Sequence, residues 1–460
     1  MARNNVDMDS PKLLNQIIKY GVPLIFISFI QNIFGSVDMV MLNAFDPLAV
    51  SSIGATSSII HVLVNTFFGI ATGVKVVLSH QIGAKNEEKA KATVSTALIT
   101  SLLMGVVLAI IGQSFAELFL VATKCPADSF DGALLYLRVY LLSVPTIMLY
   151  NFASAIITTS GDTKRPLYYM IISGALNVIL NYILLLILPQ KVLAVAIATT
   201  ASHTVSAFLA VHRVFKVEGI CSVSLGNMKW SFESFRKIMS NGLPIAFCNG
   251  LLPLSNLQIQ ANINELGSAL VAGNSAGSSI EGLVGSMGYS AAGGSVGVFV
   301  GYNLGAKRYD RVKKSILYCL ALGVGMSLIA SGVVLLLQRQ ISSLYVSEEL
   351  ARQAAMTRMM TNVTFYFIAC CNSVLSHTIQ AFGYSIISTV NSIVSVLVFR
   401  VFWMCFIYPP HRVLEAPISS YLWICSCWPV SWMLLLVINT VITLYLYNGK
   451  LKKGKLKRLT

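Results

Sequence analysis

Charge is what this chain has least of. Asp, Glu, Lys and Arg make up 11% of its 460 residues, against 55% hydrophobic residues and a mean hydropathy of +0.73. Soluble domains carry roughly a quarter of their residues as charges, so the composition excludes a soluble fold. No polar stretch of domain size separates the apolar runs, which leaves almost all function inside a helical bundle. No phosphate-cradling GxxxxGKS or GxxxxGKT segment is present, so the chain has no ATPase of its own. Nine cysteines lie scattered, mostly within apolar runs; the spacing of Cys425 and Cys427 in the last run suggests neither a disulfide framework nor a metal site. The opening MARNNVDMDSPKLLNQ lacks a small-residue cleavage site behind a short apolar core, and is expected to remain as a cytoplasmic tail.

What is present is apolar length. A bilayer core of about 30 Å needs roughly 20 apolar residues per helix, and twelve stretches qualify, near 13–42, 47–80, 90–113, 132–158, 166–188, 192–215, 235–264, 267–300, 312–337, 353–381, 385–408 and 417–447. The chain reads as an all-α integral membrane protein with twelve transmembrane helices. Positively charged loops stay in the cytoplasm. With the N-terminus inside, inner segments hold 24 of the 33 Lys and Arg residues, whereas the outer loops hold six: Lys124, Lys191, Arg339, Arg352, Arg358 and Arg412. Both termini are therefore expected in the cytoplasm. The net charge of +15 flanks spans and forms no groove with interleaved aromatics, so it points to anionic membrane lipid and not to nucleic acid.

The chain also says nearly the same thing twice. GVPLIFIS at Gly21 leads to SHQIGAKNEEKAKATV, and GLPIAFCN at Gly242 leads to GYNLGAKRYDRVKKSI, so Pro23 answers to Pro244 and Gly83 to Gly305. TTSGDTKRP around Gly161 answers to IQAFGYSII around Gly383, again about 222 residues on. Internal repeats of this length in an apolar chain are the usual construction of secondary transporters. The expected organisation is a first six-helix lobe with its tail over 1–215, a cytoplasmic linker over 216–235, a second, pseudo-symmetric six-helix lobe over 236–447, and a basic cytoplasmic tail over 448–460. Six spans per half give both lobes the same orientation, related by an axis along the membrane normal.

Several motifs have plain readings. GNSAG, Gly273 to Gly277, fits the GxSxG pattern of serine hydrolases, but it lies in an apolar helical run without triad partners. His61, His203 and His377 stand singly on separate spans without metal-ligand spacing. Gly293, Gly297, Gly301 and Gly305 recur every four residues, as do Gly69 and Gly73, and small residues at that spacing let another helix approach closely.

Charges inside spans are more informative, because each costs several kcal/mol unless paired or hydrated. Of eighteen acids only Asp38 and Glu281 lie well inside spans. Asp38 could bind a proton or a sodium ion. Glu281 could do the same, or pair with Arg400, the deep arginine in VFRVFWMCF. Asn177 and Asn181 are four apart and share one helix face; eighteen residues after Asn181, Thr199 adds a hydroxyl. Amide and hydroxyl oxygens with a carboxylate suit a hard cation such as sodium, and would equally hydrogen-bond a protonated acid.

Together, the first span with Gln31 and Asp38, the QIGAK and NLGAK loops, SGDTKRP, LNVILNYILL followed by AVAIATT, and RVFWMCFIYPP resemble the multidrug and toxic compound extrusion (MATE) family, across nearly all twelve spans. NSAGSSIEGL and GYNLGAKRYDRVKK resemble a large bacterial branch. The resemblance implies an antiporter in a bacterial cell membrane, not an enzyme and without a cofactor. It would export organic, cationic or amphipathic drugs or toxic metabolites in exchange for protons or sodium, around a cleft between two six-helix lobes. It places Asp38 on the first-helix acid of an amino-lobe cation site, Asn177 and Thr199 on its amide and hydroxyl, and Gln31, Phe34 and Asn151 on the cavity lining. Asn181 stands where many relatives have a second acid, and Leu254, Ser255 and Asn256 where another branch has a seventh-helix acid. Ion capture would then bend the first helix near Pro23. A monomer is the default expectation. The rival within the superfamily is a flippase for lipid-linked saccharides, which would need several basic residues for pyrophosphate, where Arg400 is the only deep one expected.

Overall fold

Hydrocarbon offers the backbone no hydrogen bonds, so a long apolar run crosses it as a helix that bonds to itself. The computed structural model describes residues 6–123, 125, 129–217, 219–413 and 416–451, except for the side chains at 32–40, 43–44, 47–51, 58, 225 and 450–451. Among these residues there is no strand. In the first half of the chain the helices are α1 (Leu13–Phe45), α2 (Pro47–Gly83), α3 (Glu87–Ala122), α4 (Phe130–Leu142), α5 (Val144–Thr159), α6 (Lys164–Ile187) and α7 (Lys191–Phe215). In the second half they are α8 (Phe232–Asn264), α9 (Ser268–Gly305), α10 (Tyr309–Leu336), α11 (Gln338–Tyr345), α12 (Glu349–Asn362), α13 (Tyr366–Ala381), α14 (Ser385–Ser392), α15 (Phe399–Phe402) and α16 (Pro417–Tyr445).

Among the described residues, ten helical segments are long and apolar enough to cross a membrane, and α4 with α5 makes an eleventh if that pair, bent by 46°, is one span. The bend follows from Pro145, which has no N–H and crowds the turn before it. The twelfth expected stretch is α8. It is helical over 33 residues but is diluted by Asn241, Asn249, Asn256, Gln258, Gln260 and Asn262. Pro23 lies inside α1, which stays helical on both sides of it.

The repeat is most literal where helices stop. After α2 the chain turns at Lys85, φ 54°, with Lys85 N–H donating to the Ile82 carbonyl and Asn86 N–H to that of Gln81. After α9 the same turn falls on Lys307, φ 57°, bonded to Leu304, with Arg308 bonded to Asn303. These are Schellman closures of orphan carbonyls, and the left-handed residue comes two positions after the repeated Gly83 and Gly305. Gly161 and Gly383, at φ 92° and 85°, end α5 and α13 in the same manner. Beside Gly161, burial raises the Asp162 carboxyl above the ordinary carboxylate value, a rise that Arg165, at 3.2 Å, opposes.

The chain divides into two compact units. The first takes residues 6–7 and Ile30–Ala246, the second Met8–Phe29 and the described residues from Phe247 on, so α1 and α8 are each shared. In the first unit, Val74, Leu78, Val94, Leu137, Phe152 and Ile156 form the core. There α8 lies directly on α2: a methyl added at Gly69 would sit 2.5 Å from Ala246 Cα, and one at Gly73 would meet the Ile238 carbonyl at 2.5 Å. In the second unit α9 is central, packed by α10, α12 and α13. The opening of α1 joins it, with Tyr20 edge-on to Phe299 at 5.5 Å and Ser28 donating to Ser290 at 2.8 Å.

An L-residue in the left-handed region costs roughly 1–2 kcal/mol. Lys85→Gly and Lys307→Gly should therefore each stabilise the protein by about 1 kcal/mol, read as a higher unfolding temperature in detergent. A lower temperature at either position would rule out the left-handed cap there.

Candidate ion-coupling site and buried charge cluster

The four-residue spacing of Asn177 and Asn181 places both on the face of α6 that packs against α7. Both are buried, and a hydroxyl bond from Ser173 to the Ser202 carbonyl at 2.7 Å fixes the two helices beside them. The Asn181 amide donates to the Asn177 carbonyl oxygen at 3.3 Å, and the Asn177 amide donates to the Thr199 hydroxyl at 3.4 Å. The three residues singled out on α6 and α7 thus form one row in the first unit. The side chains of Asp38 and Phe34 lie outside the described residues; α1 carries both positions in helix. Gln31 is exposed on α1. Asn151 is half-buried on α5 and donates to its own helix, to the Ile147 carbonyl at 3.0 Å.

The second unit corrects the pairing considered for Glu281. Its partner is Arg358 on α12, not Arg400: the Arg358 Nε and Nη2 reach Glu281 Oε2 at 2.9 and 2.8 Å, and the Asn362 amide reaches the same oxygen at 3.2 Å. Arg358 is no outer-loop charge. It is buried, and among the described residues it makes Arg400 one of two buried arginines. The missed signal was local: Arg358 lies inside its own apolar stretch, and Asn362 follows four residues later on the same face.

The GNSAG segment explains how the arginine fits. Gly277 leaves the space that the Arg358 stem fills, and Gly273 faces the Ala351 carbonyl. Asn274 accepts from both Arg358 and the Tyr421 hydroxyl. Ser275 is exposed and donates to the Val271 carbonyl of its own helix, so the hydrolase-like pattern is a packing surface.

Arg400 lies in the four-residue α15, with π-helical turns over Ile393–Val398 and Trp403–Ile407 on either side. Its Nε donates to the Ser431 hydroxyl at 3.2 Å and its Nη1 to the Asn256 carbonyl oxygen at 3.4 Å. The Trp428 ring presents its π-face to both guanidinium groups, 4.6 Å from Arg358 and 5.7 Å from Arg400. Apart from these charges, α13, α14 and α16 share an uncharged seam that sequence reasoning did not mark. Asn391 donates to Asn439 at 2.9 Å, Asn439 to Ser376 at 3.0 Å, and Asn372 to the Trp432 carbonyl at 2.7 Å.

Removing one partner of a buried ion pair strands the other charge, at a cost of about 3–5 kcal/mol. Glu281→Gln and Arg358→Gln should each sharply reduce the folded fraction on size-exclusion chromatography, and the double variant should recover part of the loss. Strictly additive losses in that cycle would show that the pair does not interact energetically.

The MatE family model matches this chain twice, over residues 23–183 and 244–404. Probable multidrug resistance protein YoeA of Bacillus subtilis (strain 168) is 26% identical over 401 residues, covering 84% of this chain and 85% of YoeA. A crystal structure of MATE in the straight conformation superposes with a TM-score of 0.88 at 19% identity, covering 98% of this chain and 100% of that one. An outward-facing multidrug resistance MATE family transporter gives the same TM-score, identity and coverage. Two copies of one family model, in register with the repeated caps and together spanning well over half the sequence, leave one assignment: the chain belongs to the MatE family, whose members are multidrug efflux transporters of the membrane.

Proposed function

We propose that this protein is a secondary antiporter of a bacterial cell membrane that exports organic, cationic or amphipathic compounds in exchange for protons or sodium ions. The observation that carries the reading is the row of the buried Asn181 and Asn177 with the half-buried Thr199, in the repeat that also contains Asp38. The other repeat has Phe399 opposite Asn177 and the buried Ile259 opposite Asp38, so at these positions it offers neither the amide nor the carboxylate.

In this reading Asp38 takes up the ion from outside, and the amide and hydroxyl oxygens of Asn177, Asn181 and Thr199 complete its shell or hydrogen-bond the protonated acid. Neutralising the carboxylate changes what α1 packs against. Pro23, which lacks an N–H and so leaves a gap in the helical ladder, is where α1 yields. The cavity lined by Gln31, Phe34 and Asn151 then contracts and releases substrate outward, and the ion leaves to the inside. Ion and substrate need only oppose each other's preferred state; the coupling is reciprocal and requires no contact between them. The excess of Lys and Arg in alternate loops supports cytoplasmic termini.

Asp38→Asn should abolish efflux driven by an imposed proton or sodium gradient in proteoliposomes while leaving the unfolding temperature near that of the native chain. Undiminished gradient-driven transport by this variant would sink the assignment.

A further inference from the structure

The chain at the start of α1 and the first turns of α10 line an open-sided pocket of about 260 Å³ in the second unit. Arg311, Lys314 and Tyr318 line it from α10, Lys12 from just before α1 and Asn15 from its first turn. The spacing on α10 is i, i+3, i+7, one face of a helix. Three cations line the cavity and no carboxylate does. Asp9, the acid just before this segment, is bound by Arg308 at 2.5 Å. Among the described residues neither Lys12 nor Lys314 belongs to an ion pair, and both are exposed.

The walls are fixed independently of any ligand. Arg311 Nη2 donates to the Met8 and Ser10 carbonyls, each at 2.9 Å, and its Nε donates to the Asn303 carbonyl oxygen at 3.2 Å. These bonds hold the segment before α1 against α10 and set Lys12 opposite Lys314. Like charges held together around a cavity repel one another, and an anion placed between them removes that cost. The pocket has room for a phosphate group. Lysines bind phosphate as point charges, and the Tyr318 hydroxyl adds a neutral donor. Beyond the charged residues both helices run uncharged and mostly apolar, α1 over 20–31 and α10 over 315–336, so the pocket lies at the charged end of each span, the level at which lipid phosphates lie.

We propose that Lys12, Arg311, Lys314 and Tyr318 form a binding site for a phosphate group, carried by an anionic lipid headgroup or by a free phosphate compound. When occupied, the site fastens the first turn of α1 to α10.

The purified full chain in neutral detergent, titrated with probes while its unfolding temperature is followed, tests this. The probes are short-chain phosphatidylglycerol against phosphatidylcholine, and sodium phosphate against sodium chloride at equal ionic strength. Phosphatidylglycerol should raise the unfolding temperature of the native chain and of a K216Q/K229Q control, which loses two lysines elsewhere. The K12Q/K314Q variant should need roughly thirtyfold more of it, at about 1 kcal/mol for each lysine. A parallel response to phosphate shows that a free phosphate compound also fits, and a response to phosphatidylglycerol alone assigns the site to lipid. An unchanged response in K12Q/K314Q, or a native chain indifferent to both probes relative to their controls, overturns the proposal.

Discussion

Every polar group taken into hydrocarbon must find its partner within the protein, because nothing else there can supply one. That constraint organises the whole chain. Backbone groups are satisfied by helix until the helix ends, and at the ends the same left-handed turn recurs at Lys85 and Lys307 and at Gly161 and Gly383. Side-chain groups are satisfied in rows and clusters: the amides and hydroxyl on α6 and α7, the Glu281 and Arg358 pair, and the asparagine seam of α13, α14 and α16. Those clusters require helices in close approach, and glycine provides it. Without side chains at Gly273 and Gly277, α9 receives α12 closely enough for Arg358 to reach both Glu281 and Asn274.

The two repeats use this constraint differently. The first keeps an uncharged row of amides and a hydroxyl on α6 and α7. The second neutralises its buried acid internally with Arg358, and its extra positive charge, Arg400, is spread over a serine, an asparagine and the face of Trp428. A carboxylate bonded by a guanidinium and an amide is a poor exchanger of ions, because release of the partner would strand a charge.

Much of this was legible in order along the chain. Apolar length located the helices, and the twofold repetition of Pro23 and Pro244, and of Gly83 and Gly305, located equivalent backbone positions. A four-residue spacing placed Asn177 and Asn181 on one face. The apolar signal is weakest at α8, the stretch expected over 235–264, where polar residues share a helix with the packing face that meets Gly69 and Gly73. Arg358 was misread for a related reason: near the end of an apolar stretch, a long basic side chain can reach water as easily as it can turn inward, and sequence alone does not give the direction.

The sequence by itself determined the solvent, the helical class, the duplication and the family, because composition, periodicity and repeat spacing are properties of the chain taken in order. Only the tertiary structure decided which arginine answers Glu281, that GNSAG is a packing surface, and that Lys12 comes to face Lys314. Each of these depends on the distance between residues tens or hundreds of positions apart. Such distances follow from how helices lie against one another, which the order of residues within any one helix does not state.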